Sequence, residues 1–569
     1  MISTAPSSVS TIPDLFHQSA ARYADRPALA MINGPTLTYL DVSHRVMQLA
    51  KMLNDEGITS GDRVAIYSEN HMNWGIAYLA IQEAGGVVVP ILPDFHTGAV
   101  SHILRHSEAR AVFTSPRLLN RLDESPAKFT INLETFQISR GGKTWETLLR
   151  LGEAALTNLK ARARRFLHSA HEKESPSLAV IIYTSGTTGH SKGVMLTHQN
   201  LIANIQSVRK LVHIVETDRF LSLLPLAHTF ECTLGFLTPL SAGASVHYLD
   251  RAPTAPVLLP ALQTVRPTVM LSVPLIIEKI YKQKIIPAFH GNFIIRNVYG
   301  LPPFRKLLNK KAGKKLLQTF GGELKLFCIG GAALAPDTEF FLREAGFPYC
   351  IGYGLTETSP LVTGTPPETT RLRSAGKAIL NVQVRIDHPD PVTGAGEIWV
   401  KGPNVMAGYY RDPEKTAEVL SQDGWFHTGD LGYIDEDGYL FIKGRSKNMI
   451  LGPSGENIYP EELESLLNEH DWVSESLVLE DGKEIVARVF LNSEIIDQEL
   501  AKHATNEAGA RKRILAFFEE LKSAVNQRTS KFAKIARIIE QPEPFEKTPT
   551  QKIKRFLYTT KSAGGDPSM

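Results

Sequence analysis

The sequence predicts an α/β protein in which a large N-terminal domain of doubly wound α/β subdomains and a β-rich subdomain precedes a small α+β domain. Three observations lead to this prediction. The chain has 569 residues, more than one hydrophobic core organises. From residue 15 to residue 330, strand-length apolar runs alternate with helical periodicity, which is typical of parallel sheets covered by helices. The segment 376–443 favours strands and the pattern changes again after Gly444, so we predict domains at 1–443 and 444–569.

Each element follows from the spacing of its apolar residues. Helical spacing predicts helices over 15–23, 39–53, 73–85 and 97–107, and continuous apolar runs predict buried strands at 63–68, 87–90 and 111–113. The alternation resumes with strands at 178–182, 218–224, 243–248, 268–272 and 324–330. Further strands are predicted at 382–386, 397–401, 439–442, 476–479 and 485–490, and C-terminal helices at 461–467 and 510–525.

The composition and the apolar pattern argue against several classes of protein. A formal net charge of +3 gives no reason to expect a nucleic-acid partner. Cys232, Cys328 and Cys350 have no paired spacing, which argues against a disulfide framework and against a zinc site. The N-terminus lacks a signal-peptide pattern, and the most apolar stretch, 75–93, is interrupted by glycines and a Gln-Glu pair, so it cannot span a bilayer. We therefore expect a cytoplasmic protein, with peripheral contact at the inner face of the membrane left open.

A loop of glycine, serine and threonine with one lysine follows the strand predicted at 178–182. Thr197 is a candidate N-cap for a helix after the loop, because apolar residues recur at helical spacing from Leu201 to Val212. In α/β proteins, phosphate is commonly bound by a glycine-rich loop between a strand and a helix. Backbone N–H groups and hydroxyls of the loop contact the phosphate oxygens, and Lys192 would add a positive charge here. The loop is not a Walker A motif, because Lys192 is followed by Gly193 and not by serine or threonine. A flexible connection without a ligand is the disfavoured alternative to phosphate binding. The candidate residues are Thr184, Ser185, Gly186, Thr187, Thr188, Gly189 and Lys192.

Four other motifs follow this loop in order. They are Gly352-Tyr353-Gly354-Leu355-Thr356-Glu357-Thr358, Thr428-Gly429-Asp430, Gly444-Arg445-Ser446-Lys447 and Lys552-Ile553-Lys554-Arg555. Together with the loop they resemble the adenylate-forming enzymes, the superfamily of acyl-CoA synthetases, luciferases and peptide-synthetase adenylation domains. The resemblance extends from residue 14 to residue 555, which is nearly the whole chain.

The resemblance implies roles for individual residues. Glu357 is expected to bind Mg²⁺ as a hard carboxylate beside the phosphates of ATP, and Thr356 to donate to the α-phosphate. Tyr353 offers a ring to stack on adenine, and Asp430 and Arg445 are expected to contact the ribose. The adenine is expected to pack against the small residues Gly331, Ala332 and Ala333, and Gly352 and Gly354 are further candidates for binding the nucleotide.

Two lysines after residue 443 receive roles from the same resemblance. Lys552 is expected to neutralise charge where the substrate carboxylate meets the α-phosphate. Gln551 stands where the family usually has glycine, so Lys547 and Lys554 remain alternative candidates. Lys447 occupies the hinge position, about which the C-terminal domain is expected to rotate after adenylation, withdrawing Lys552 and admitting a thiol.

Two further segments bear on substrate and partner. Leu224-Pro225-Leu226-Ala227-His228-Thr229-Phe230-Glu231 resembles long-chain acyl-CoA synthetases and makes His228 a catalytic candidate, with an ordinary hydrogen-bonded histidine as the alternative. The segment 304–320 carries six basic residues between 305 and 315. It can lie on an anionic bilayer or contact an acidic carrier protein, but a solvated helix face is the favoured interpretation, because basic helices are usually of that kind and Gly313 in the middle weakens the case for docking.

We therefore expect an ATP- and Mg²⁺-dependent acid–thiol ligase that joins a medium- or long-chain fatty acid to coenzyme A through an acyl-adenylate, releasing AMP and pyrophosphate. An acyl-ACP synthetase, which uses holo-ACP as the thiol, shares every motif. A luciferase-like oxygenase would oxidise the same adenylate. A non-enzymatic nucleotide-binding module is disfavoured, because all the catalytic positions are filled.

Overall fold

The computed structural model describes residues 9–122, 125–140, 177–184, 191–290, 293–452, 456–482, 484–493, 495–496, 507–548 and 552–558. Five candidate phosphate-binding residues, Ser185, Gly186, Thr187, Thr188 and Gly189, lie outside the described residues, and so does Gln551.

An eight-stranded sheet occupies the first part of the chain. Its inner strands are parallel, and the antiparallel pairs lie at its two edges. Every residue of Val87–Ile91 is buried, as expected for a parallel strand covered on both faces. The spatial order is Gly408–Tyr409, Lys192–Thr197, Leu178–Thr184, Val87–Ile91, Arg63–Tyr67, Ala111–Thr114, Phe129–Asn132 and Ile138–Arg140.

A seven-stranded sheet shares its hydrophobic core with the first. All its neighbouring strands are parallel except the last pair. Buried residues of both sheets, such as Val64 and Val246, belong to one cluster. The spatial order is Tyr349–Ile351, Leu326–Ile329, Val269–Ser272, Arg219–Ser222, Ser245–Tyr248, Pro27–Met31 and Thr36–Thr38. The predicted α/β architecture is confirmed.

The later strands form smaller sheets. A separate hydrophobic cluster includes buried residues from Ile450 to Ile535. Gly444 pairs with Leu431 inside the four-stranded sheet, and the domain boundary placed before it stays a prediction. The four-stranded sheet consists of Gln383–Asp387, Gly396–Lys401, Phe426–Ile434 and Leu440–Arg445. A three-stranded sheet consists of Tyr353–Gly354, Leu361–Gly364 and Lys377–Ala378. The C-terminal strands form a pair, Ile450–Leu451 and Asn457–Ile458, and a three-stranded sheet, Val473–Asp481, Glu484–Leu491 and Arg537–Gln541.

The helices begin where the sequence supplies caps, with reciprocal capping boxes at Thr11, Thr38 and Thr197. No helix in the described part of the chain combines the length and the hydropathy needed to cross a bilayer. The α-helices are Ile12–Arg22, Tyr39–Asp55, Met72–Glu83, Thr97–Ser107, His198–Leu211, Thr238–Ala242, Ala255–Val265, Pro274–Ile280, Ile286–His290, Phe293–Tyr299, Pro302–Thr319, Pro336–Ala345, Pro413–Val419, Pro460–Leu467 and Glu507–Arg528.

The predicted order of strand, loop and helix at the glycine-rich loop is wrong. The strand Lys192–Thr197 intervenes and pairs antiparallel with Leu178–Thr184, so that Thr184 lies opposite Lys192. Thr197 does cap the next helix, as predicted. The short apolar run before Thr197 carries no clear periodicity, and pairing with the neighbouring strand decides its conformation. The described strands on either side of the loop therefore pair with each other, and the phosphate-binding prediction rests on the donors of the loop and on Lys192.

Candidate active site

The carboxyl ends of the seven-stranded sheet gather several predicted site residues. Gly331, Ala332 and Ala333 are exposed just after the strand Leu326–Ile329, and Gly352 to Gly354 begin just after Tyr349–Ile351. Parallel strands place such residues along one edge, where α/β sheets bind ligands. A Cβ on Gly354 would lie 1.8 Å from the carbonyl oxygen of Pro360, so only glycine fits there. This edge offers small residues and open space for a flat ring.

The turn that carries Thr356 and Glu357 is fixed by two buried asparagines. Asn204 Nδ2 donates to the carbonyl oxygens of Thr358 and Leu361 at 3.0 and 3.1 Å, and Asn204 Oδ1 accepts from Leu361 N–H at 3.2 Å. The amide of Asn404 donates to the same two oxygens at 3.2 and 2.8 Å. Sequence reasoning missed both asparagines, because no motif spacing links them to the turn.

Tyr409 connects Glu357 to the lysine of the glycine-rich loop. Its hydroxyl donates to Glu357 Oε1 at 3.0 Å, and Lys192 Nζ lies 4.8 Å from its ring centroid. Burial raises the pKa of Tyr409, and the Glu357 carboxylate raises it further, so the hydroxyl keeps its proton. Tyr409 was also missed. The strand Gly408–Tyr409 reaches the site by pairing with Lys192–Thr197, which no local pattern indicates.

Asp430 is held from two sides. Tyr353 OH donates to Asp430 Oδ2 at 2.7 Å, and Arg445 Nε lies 2.7 Å from Oδ1. Burial raises the pKa of Asp430, whereas Arg445 and the Tyr353 hydrogen bond act in the opposite direction. Tyr353, Asp430 and Arg445 come from separate motifs. The pairing of adjacent strands brings Asp430 opposite Arg445, and Tyr353 joins them through its hydrogen bond.

Several cationic side chains lie near Glu357 and Asp430. They are Lys192, Arg445, Lys447 and Lys552. Desolvation by the surrounding protein lowers the pKa of Lys552, and repulsion from Arg445 adds to this, while Asp430 and Glu357 oppose it. Lys447, on the turn Ser446–Asn448, also has a lowered pKa, first from desolvation and then from Arg445 and Lys552, with a further contribution from Lys192. These interactions place the four cations within electrostatic range of one another and of Asp430, on which Glu461 also acts.

The alternative lysines have carboxylate partners elsewhere. Lys547 forms an ion pair with Glu475, and Lys554 Nζ lies 3.3 Å from Glu546 Oε2. Lys552 forms no ion pair with any described residue, although its charge interacts with Asp430 and Glu357. Its placement favours it over the two alternatives.

His228 lies near this cluster in a neutral state. It follows the strand Arg219–Ser222, and its Nδ1 accepts from Phe230 N–H at 3.2 Å, which leaves the ring proton on Nε2. Burial lowers its pKa to about 4, and Lys552 contributes to the shift. A neutral imidazole with a free Nε2–H can donate to a substrate oxygen.

The described residues contain no group of three or more His, Cys, Asp or Glu side chains placed to hold a metal ion. A single carboxylate is compatible with Mg²⁺, which keeps several waters and takes further ligands from substrate phosphates. Glu357 therefore fits a site that the phosphates of ATP would complete.

Comparison with known proteins places this arrangement in a family. Residues 16–410 match the model of the family described as AMP-binding enzyme. The chain belongs to the AMP-binding enzymes. The matched region includes Lys192, His228 and Glu357, while Asp430, Arg445, Lys447 and Lys552 follow it.

Curated proteins similar to this AMP-binding enzyme include two types of ligase. The long-chain-fatty-acid–CoA ligase FadD15 of Mycobacterium bovis is 30% identical over 93% of this chain and 91% of its own length. The chloroplastic long-chain-fatty-acid–[acyl-carrier-protein] ligase AEE15 of Arabidopsis thaliana is 27% identical over 97% of this chain and 85% of its own length. Among solved structures, ATP-bound MatB from Rhodopseudomonas palustris has a TM-score of 0.72 and 25% identity, covering 96% of this chain and 98% of its own.

Proposed function

We propose that this AMP-binding enzyme activates a medium- or long-chain fatty acid with ATP and transfers the acyl group to the thiol of coenzyme A. The observation that carries the proposal is that Arg445 pairs with Asp430, that Lys192 lies over the ring of Tyr409, which contacts Glu357, and that Lys447 and Lys552 lie near this group. Such a cluster of cations suits a polyphosphate. The fatty-acid specificity is supported by the segment around His228 and by the names of the curated relatives.

In the first half-reaction, an oxygen of the substrate carboxylate attacks the α-phosphorus of ATP. The bond from the α-phosphorus to the oxygen that bridges it to the β-phosphate breaks, and pyrophosphate leaves. Lys552 neutralises the charge that gathers where carboxylate and α-phosphate meet, and Thr356 donates to the α-phosphate. Glu357 would hold Mg²⁺, which would neutralise charge on the phosphates. Asp430 and Arg445 hold the ribose, while Tyr353 and the small residues from Gly331 to Ala333 pack on the adenine.

In the second half-reaction, the sulfur of the thiol attacks the acyl carbon, AMP leaves with the bonding electrons, and the thiol proton passes to solvent. The domain 444–569 rotates about Lys447 between the two steps, removing Lys552 from the site. Hydroxide is a poor leaving group and AMP a good one, which is why activation must precede transfer.

A carrier-protein thiol is the second candidate acceptor, because a relative that covers 97% of this chain is an acyl-carrier-protein ligase. The deciding experiment has two parts. Acid-dependent ATP–pyrophosphate exchange is measured with acids from acetate to oleate and with benzoate. AMP release is then measured with coenzyme A or holo-ACP as the acceptor.

We expect exchange to rise steeply towards laurate and oleate, because each buried methylene contributes about 0.8 kcal/mol. A flat profile would contradict the fatty-acid assignment and leave the adenylate chemistry intact. Oxygen-dependent product formation without thioester would identify an oxygenase instead.

A further inference from the structure

Three large apolar side chains are exposed together at the start of the basic helix Pro302–Thr319. Leu301 precedes the helix and is 52% exposed, and Phe304 and Leu307, one turn apart, are 51% and 66% exposed. Single exposed apolar residues are common on protein surfaces, but three within seven residues form a patch that water solvates poorly. The sequence alone did not show this patch, because it did not show which face of the helix is buried.

The opposite face of the helix is firmly packed. Asn309, Gly313 and Leu316 are buried, and a Cβ on Gly313 would lie 2.5 Å from the carbonyl oxygen of Ala345. Gly313 therefore permits close packing on the helix Pro336–Ala345 and does not weaken the basic helix. Gly313 does not count against docking of the outward face, contrary to the expectation from the sequence. Asn309 also donates to Glu344 Oε2 at 2.7 Å.

The outward face carries uncompensated positive charge. Helical spacing places Lys311, Lys314 and Lys315 on the side of Phe304 and Leu307, opposite the buried residues, and the exposed Lys310 at the edge of that side. The range 302–319 contains no acidic residue. None of these four lysines lies within ion-pair distance of a carboxylate among the residues that the structure describes, whereas Arg305 on the flank pairs with Glu344 at 3.0 Å.

We propose that the outward face of the helix Pro302–Thr319 docks on an anionic lipid bilayer. Leu301, Phe304 and Leu307 enter the interface between headgroups and acyl chains, and the four lysines contact the anionic headgroups. Apolar side chains at one end of a rigid helix and lysines behind them fit a charged surface with an apolar layer beneath it. An acidic carrier protein would meet the lysines but gives no reason for three exposed apolar residues in front of them. This proposal is independent of the proposed function, because it concerns binding alone.

The test is co-flotation of the full-length protein with vesicles. The vesicles contain phosphatidylcholine alone or phosphatidylcholine mixed with phosphatidylglycerol. We expect binding to the anionic vesicles only, weakening as salt rises. The double variant Phe304→Ser/Leu307→Ser should bind at least tenfold less, and Val392→Ser, which changes an exposed apolar residue far along the chain, should bind like wild type.

The charge variant replaces Lys310, Lys311, Lys314 and Lys315 with glutamine. Each lysine near an anionic surface is worth about a fivefold change in binding, so the quadruple variant should lose more than a hundredfold. Exchange with a soluble short acid should stay unchanged in all variants, which shows that they fold. Absence of vesicle binding, or equal binding by wild type and both variants, would overturn the proposal. Intact vesicle binding with lost transfer to holo-ACP would identify a carrier-docking surface instead and overturn it too.

Discussion

The guanidinium of Arg555 forms two hydrogen bonds with the carboxylate of Glu464, with Nη2 2.6 Å from Oε1 and 2.5 Å from Oε2. Arg555 Nη1 also donates to the carbonyl oxygen of Val478 at 3.1 Å, and Glu464 Oε1 accepts from Val478 N–H at 2.7 Å. The pair ties the end of the described chain to the helix Pro460–Leu467. Lys552 precedes Arg555 by three residues, so this contact, together with the hydrogen bonds between Lys552 and Thr548, holds the lysine in place.

We predict that Arg555→Lys slows acyl-adenylate formation at least tenfold, because the single nitrogen of lysine cannot contact Glu464 and the carbonyl oxygen of Val478 together, as Nη2 and Nη1 of Arg555 do. Thioester formation from supplied acyl-adenylate should change little. Both half-reactions are measured by single-turnover kinetics. Arg528→Lys, at the exposed pair of Arg528 with Glu469, is the matched control and should leave both rates unchanged. Equal losses in both half-reactions of the Arg555 variant would contradict a positioning role.

Lys552→Ala should slow adenylation by about a hundredfold, since one preorganised charge contact is worth about 3 kcal/mol. Thioester formation from supplied acyl-adenylate should be nearly untouched. Lys547→Ala and Lys554→Ala are controls, because Glu475 and Glu546 already engage those side chains. If one of them, and not Lys552→Ala, abolishes adenylation, the assignment of the lysine fails.

Lys447→Pro should give the complementary result. Proline fixes φ and hampers rotation at the predicted hinge, so adenylation persists while transfer to the thiol is lost. Lys447→Ala, which removes the charge near Lys552 but leaves φ free, should retain transfer. Retained transfer in the proline variant would place the hinge elsewhere.

Glu357→Gln should fold normally and lose most ATP–pyrophosphate exchange, because an amide is a weaker Mg²⁺ ligand than a carboxylate. Part of the loss should be recovered at high Mg²⁺ concentration. Tyr409→Phe removes the hydroxyl that contacts Glu357 and should have a smaller effect. Exchange close to wild type at limiting Mg²⁺ in the Glu357 variant would refute the metal-binding role.

Asn204→Ala should lower the free energy of unfolding by about 2 kcal/mol, because it leaves buried backbone groups of Thr358 and Leu361 with fewer partners. It should also raise the KM for ATP, since the same turn carries Thr356 and Glu357. Urea unfolding and exchange kinetics measure the two effects. A loss of stability with an unchanged KM would limit Asn204 to a structural role.

Glu231→Gln should reduce the loss of stability that the wild type shows as pH rises. Burial raises the pKa of Glu231 from an ordinary 4.5 to about 8. Between these values the folded state holds a proton that the unfolded state has released, so rising pH favours unfolding. Glutamine does not titrate. The free energy of unfolding of both proteins is measured by urea unfolding from pH 5 to pH 8. If it changes with pH in the same way in both, Glu231 does not contribute to the pH dependence of stability.

Much of the architecture could be predicted because it is encoded locally. Apolar spacing predicted the helix Thr97–Ser107 with its observed bounds, and most other elements within a few residues. Motif order also supported a prediction of the family, since several motifs in one sequence order are specific even when each is short. The strand Lys192–Thr197 was not predicted, because its apolar run is too short to show the period of a strand or of a helix.

The sequence by itself determined the α/β class and the family, and it predicted the motifs that are expected to carry the chemistry. Tertiary structure alone decided that Asn204, Asn404 and Tyr409 support the site, because their contacts join segments that no sequence spacing relates. It also placed Cys328 and Cys350 on adjacent strands with their Sγ atoms 3.3 Å apart, although the thiols are free. The outward face of the helix Pro302–Thr319 was decided in the same way. The sequence of a helix does not show which side will be buried until another element packs against it. Here the helix Pro336–Ala345 packs against Gly313, and this contact determines which residues of the helix Pro302–Thr319 face the solvent.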